Sequence, residues 1–216
     1  MRLPRTSSLL SAFLCATTIC ACAQTPKKSV MPANGVAHMS TSEAPQTSTP
    51  TLSAEEIGKR FLNLLKGLKS RDDLSLERVQ EVTGVALKRV SYPKENLESY
   101  FHVQPLEGGW SYSLDFILES ASLKRGVSLS FEHGKDGFSE MSAVCDLDFE
   151  HYDKALKEIG FVVSPVYGEI GQLQSWRYTK FAEGGIGGDI DLSIIPQNVV
   201  AGSPGRICVK SIGTLN

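Results

Sequence analysis

The 216-residue chain has no excess of charge of either sign. Its 22 Lys plus Arg stand against 24 Asp plus Glu, a formal net charge of −2. Without a basic excess there is little to neutralise a phosphate backbone, which argues against a nucleic-acid binder. No uncharged apolar run reaches the roughly 20 residues of a membrane-spanning helix, which excludes a multi-span membrane chain. Histidine is scarce, at four, and the five cysteines are scattered, too few for a zinc ribbon or finger. His102, His133 and His151 show no His-x-x-x-His or His-Glu-x-x-His spacing, so no metal and no other cofactor is expected. There is no Gly-x-Ser-x-Gly, and Ser193 sits mid-strand in Asp-Leu-Ser-Ile, a poor place for an exposed nucleophile. What is present is 41% apolar and 8% aromatic residues, enough for a core and unlike a collagen-like or fully disordered chain. Binding is therefore expected rather than enzymatic catalysis.

The first residues read as an address. Arg2 and Arg5 precede Leu9–Ala23, an apolar stretch without a charge and too short to span a bilayer. Residues 1–23 are expected to be a bacterial export signal. Ile19-Cys20-Ala21-Cys22 has the pattern of a lipobox, and cleavage before Cys22 would make it the lipid-bearing N-terminus. Ala21-Cys22-Ala23 also fits ordinary cleavage before Gln24, which would leave a soluble periplasmic protein. With Ala23 and not Asp after the lipid cysteine, a lipidated form is expected at the outer membrane. Residues 24–52 are rich in Ser, Thr, Pro and Ala with no hydrophobic period, and read as a disordered linker. The remainder, 53–216, is one domain's worth of chain. Setting aside Arg2, Arg5, Lys27, Lys28 and Glu43 leaves 18 basic against 23 acidic residues there, a net −5.

Ser53-Ala-Glu-Glu56 is a capping box ahead of Ile57, Phe61, Leu64, Leu65 and Leu68, which predicts an amphipathic helix over 54–69. Ser75 and Gly84 bracket a second, 76–83. The period then changes to two. Trp110, Tyr112, Leu114, Phe116 and Leu118 alternate with polar residues, as do Val127, Leu129 and Phe131. A strand is also expected over 141–147, with a short one near 99–104. A third helix is expected over 149–159. Strand-like runs follow at 161–167, 173–181, 189–195 and 206–212. The class is α+β: N-terminal helices plus an antiparallel sheet with one inserted helix, in a single domain.

Cys145 and Cys208 both fall in expected strands. In an oxidising compartment they are expected to pair, two buried thiols being the alternative. The carboxylates cluster as Asp146, Asp148, Glu150 and Asp153, then as Asp189 and Asp191. Caps and solvated faces account for such clusters, and an acidic recognition patch is the functional alternative. Gly184-Gly185-Ile186-Gly187-Gly188 lacks the following helix and Lys of a phosphate loop and reads as a mobile hairpin tip. Tyr167-Gly168-Glu169 joins two strands ahead of Trp176 and Tyr178, aromatics that suit either sheet packing or an interface. Tyr167, Glu169, Trp176, Asp146, Asp148, Asp189 and Asp191 are the candidate partner-binding residues.

Four stretches carry a resemblance: Arg71 to Gly84, Gly108 to Leu114, Cys145 to Gly160, and Tyr167 to Trp176. Together they resemble exported proteins and lipoproteins of Gram-negative bacteria, some of them immunity proteins paired with toxins of contact-dependent secretion systems. The resemblance implies a periplasm-facing immunity protein in bacterial competition, whose partner is a cognate toxin (effector). The alternative is a structural or assembly lipoprotein of the envelope. A lipid anchor is expected if Cys22 is acylated, and no nucleic acid is expected as a partner.

Overall fold

The computed structural model describes residues 51–92, 97–135, 137–200 and 203–216. The expected signal, Cys22 and the linker up to residue 50 lie outside the described residues.

Each helix begins at a side chain that satisfies a free amide. The Ser53 hydroxyl accepts from the Glu56 amide at 3.1 Å and opens α1 (Ala54–Lys66). Ile57, Phe61, Leu64 and Leu65 are buried along its inner face. After α1, the Asp73 carboxylate accepts from the amides of Lys69 and Ser70, and these bonds hold it below the usual carboxylate range. Ser75 accepts from the Arg78 amide and opens α2 (Leu76–Thr83), which ends at Gly84 with φ +69°. Asp148 accepts from the His151 amide and opens α3 (Phe149–Glu158). α1 and α3 approach closely at Gly58, where a Cβ would lie 2.5 Å from the Tyr152 hydroxyl.

The strands are β1 (Lys88–Tyr92), β2 (Leu97–Pro105), β3 (Trp110–Ile117), β4 (Gly126–His133), β5 (Val162–Tyr167), β6 (Leu173–Lys180), β7 (Ile190–Val200) and β8 (Ser203–Thr214). They form one eight-stranded antiparallel sheet in the order β1-β2-β3-β4-β8-β7-β6-β5. The chain is therefore α+β. The order is a mirror: two four-stranded meanders meet at β4 and β8, with β1 and β5 as the outer edges. Ser128 faces Gly213, Leu129 faces Ile212 and Ser130 faces Ser211 across that seam.

The period of two gives the sheet two unlike faces. Tyr112, Leu114, Phe116, Leu129, Tyr178, Leu192, Ile194 and Ile212 are buried together with the apolar side of the helices in one cluster. Each such side chain contributes roughly 1.5–3 kcal/mol by leaving water. The opposite face is built largely of small polar residues. One cross-strand row runs Asp115, Ser128, Gly213, Ser193, Arg177.

Three segments depart from the sequence reading. Residues 141–147 do not form a strand. A 3-10 turn at Ser142–Val144 instead turns Met141, Val144 and Cys145 inward. Burial of Met141, Val144 and Cys145 and the link from Cys145 to Cys208 hold this segment as a turn, and an isolated bridge between Asp148 and Cys208 follows it. β1 is additional: its burial pattern contains no buried residue, so it carries no core-facing alternation. Leu52, assigned to the linker by composition, is buried, and its amide and carbonyl bond the Gln104 side chain at 3.0 and 2.7 Å.

Cys145 and Cys208 form a disulfide, with Cα atoms 5.3 Å apart and both residues buried. The bridge fastens the turn before α3 onto β8.

Candidate binding surface

Most of the candidate carboxylates are already engaged inside the molecule. Asp148 caps α3, lies 2.7 Å from His151 Nδ1 and pairs with Arg206 at 3.3 Å. Burial pushes its carboxyl up, but the His151 bonds and the Arg206 charge outweigh that and hold it below its ordinary value. Arg206 also donates to the Cys145 carbonyl at 2.7 Å, so this group sits directly on the disulfide. Asp191 faces the open side of β7. Burial raises its carboxyl, yet bonds from Thr179 at 2.6 Å and from Arg177 prevail and lower it. Asp189 accepts from the Ala182 amide and closes the β6–β7 connection. Asp146 is exposed and, with Glu107, lines a groove of 510 Å³ beside the start of α1. Asp148, Asp189 and Asp191 are thus each held by partners within the fold. Among the described residues, no group of three or more His, Cys, Asp or Glu is placed to hold a metal ion.

The second half of the glycine-rich stretch is docked, while Gly184, Gly185 and the exposed Ile186 form an open tip between β6 and β7. The carbonyls of Gly187 and Gly188 accept from the amides of Asp72 and Arg71 at 3.1 and 2.9 Å. Gly187 has φ +85°, and a Cβ there would lie 2.4 Å from the Ser70 hydroxyl oxygen. Close backbone approach to the segment after α1 accounts for this glycine.

The aromatic candidates separate. Trp176 lies on the inner face of β6, half-buried, with its ring 5.2 Å from that of Phe149. Tyr178 is buried beside it and donates to Asp153 at 2.8 Å. Tyr167 and Glu169 stand apart at the turn between β5 and β6, both exposed.

That turn is ordered by its own backbone. The Gly168 amide donates to the Gln172 carbonyl at 2.8 Å, and the Gly171 amide to the Gly168 carbonyl at 2.9 Å. A register shift between Val166 and Tyr167 re-aims the strand just before it. Ile170 is 89% exposed, with Tyr167 at 60% and Leu173 and Val166 at 37% each. Ile170, Leu173 and Val166 were not among the sequence candidates. The signal for them was present: three apolar residues, Tyr167, Ile170 and Leu173, spaced through a glycine-containing turn where polar residues are usual.

The exposure is unevenly distributed. Among the described residues, eleven large apolar side chains are exposed, and eight of them lie between Val162 and Ile195. Searches against protein-family models, curated proteins and solved structures found no match.

Proposed function

We propose that the chain is a protein-recognition module of the bacterial envelope: a periplasm-facing immunity protein that binds and occludes an antibacterial toxin. The observation that carries this reading is the run of exposed apolar side chains at and beside one turn, Val166, Tyr167, Ile170 and Leu173. Neighbouring exposed apolar residues of this kind suit a surface that a partner covers. The net charge of −5 over 53–216 adds steering towards a basic partner surface. The export signal and linker place the domain where a toxin delivered from another cell arrives. Acylation at Cys22 anchors it at the outer membrane, and the toxin is an enzyme acting on cell wall or membrane. The domain itself performs no chemistry and needs no cofactor.

The test is a competition. A strain lacking this gene is expected to be killed by toxin-armed kin and rescued by the gene in trans. Equal survival of the deleted strain and its parent would sink the reading. Envelope defects with no competitor present would instead favour the structural or assembly lipoprotein.

A further inference from the structure

We propose that the β5–β6 turn is a preformed plug that enters an apolar cleft, rimmed by basic groups, on the partner protein. The inference rests on the toxin-binding reading and adds to it the surface used and the chemistry of the partner. Ile170 and Tyr167 project at 89% and 60% exposure from the turn between β5 and β6. An isolated aromatic and aliphatic pair of this kind is the usual anchor of an interface. The two backbone bonds from Gly168 and Gly171 already close the turn, so binding orders little new chain.

Charge selects the occupant. From Phe161 to Trp176 the only charged residue is Glu169. A matching surface is therefore apolar at its centre and basic at its rim. An anionic lipid surface attracts Lys and Arg and repels a tip whose single charge is negative. A second copy is disfavoured by Pro165, which removes a donor from the edge along which two β5 strands would pair.

The test uses the full chain with its leader, expressed in the deletion strain and challenged by toxin-armed kin. Ile170→Asp is compared with Val103→Asp, which alters an exposed apolar residue of β2 on the other half. Export and formation of the Cys145–Cys208 bridge are checked for both. Wild type and Val103→Asp are expected to restore survival, and Ile170→Asp is not. The Kd for the purified effector that kills the deletion strain should rise at least about 30-fold in Ile170→Asp, the size of an interface hot spot. Slower association in Glu169→Lys supports the basic rim, and faster association overturns it. Full protection by Ile170→Asp overturns the plug and leaves toxin binding standing. A deletion strain that survives unprotected removes the toxin reading and the plug with it. A wild-type mass of two chains that Ile170→Asp halves would assign the tip to a second copy and overturn the proposal. So would flotation on phosphatidylethanolamine–phosphatidylglycerol vesicles that Ile170→Asp abolishes.

Discussion

The two outer edges of the sheet occupy mirrored positions and are guarded by different means. β1 carries Lys88 and Arg89, and Arg89 pairs with Glu98 on the neighbouring strand. β5 carries no charge at all and holds Pro165 at its middle. Both devices discourage pairing with another chain, one by solvation and the other by removing an amide. Their side effects differ. A charged edge keeps its surroundings wet, whereas a proline-guarded edge leaves apolar side chains free to project. Val162, Val166 and Tyr167 of β5 are exposed, where β1 exposes Tyr92 beside its charges. On the proposed reading, the β5 side is the one a partner covers.

The halves also differ in how they are fastened, and the largest expected effect lies there. The disulfide joins residues 63 apart and encloses α3 and β5 to β7, while β1 to β3 lie outside the loop. Replacing both cysteines by Ala should cost about 4 kcal/mol in the chain-entropy description. The comparison sharpens if amide exchange rises more in β5 to β7 than in β1 to β3. A uniform rise, or a loss under about 1 kcal/mol, would mean that the bridge does not distinguish the halves.

A second, smaller effect contrasts individual carboxylates of the two halves by sign, with Asp73 after α1 lowered as well. Burial raises the Asp115 carboxyl on β3, with a bond from the Ser113 hydroxyl only partly opposing it. Asp148 before α3 is lowered on balance, as is Asp191 on β7. A lowered carboxyl stabilises the fold above its ordinary value of 3.8, and that stability is lost as pH falls through its folded value. A raised carboxyl does the reverse: its ionised form costs stability at neutral pH, and the cost is relieved as pH falls through the raised value. Asp148→Asn should therefore destabilise at pH 7, by an amount that shrinks as pH falls below 3.8 towards the folded value. Asp115→Asn should stabilise at pH 7 and lose that advantage in acid. Urea denaturation at neutral and at acid pH reads both, and the same sign for the two variants would break the contrast.

How much of this was legible in the sequence follows from what each signal encodes. The α+β class and the antiparallel sheet were legible because Trp110 to Leu118 alternates so regularly that one face must be buried. β1 was not, because an edge strand with no buried side chain has no pattern to read. Met141 to Leu147 has apolar residues at spacings that fit a strand or a tight turn. The contact that decides between them, Cys145 against Cys208, joins distant parts of the chain and leaves no local pattern. The site was half legible. Tyr167 and Glu169 stand out by residue type, whereas Ile170 and Leu173 stand out only by their position in and beside a glycine-containing turn. Asp148 and Asp191 read as cap or solvated face, with a recognition patch as the alternative, and sequence shows a carboxylate without showing the Arg206, His151 or Arg177 that occupies it.

The smallest expected change in stability tests the edges themselves. Pro165→Thr returns an amide donor to β5 without enlarging the side chain greatly, and Thr suits a strand. Lys88→Val with Arg89→Val strips the charge from β1. If each edge depends on its own guard, both variants should keep a melting temperature close to that of wild type yet associate more strongly as concentration rises. Sedimentation velocity across a concentration series measures this directly. Association in Pro165→Thr alone would mean that the charges of β1 are ordinary solvated residues and that only β5 needs a guard. Association in the β1 variant alone would mean that Pro165 is tolerated at an edge already too twisted or short to pair. Either result would tie the exposed apolar tip to a cause other than paired edge guards. Association of both variants leaves proline as the device that lets β5 stay apolar, unpaired and open to a partner.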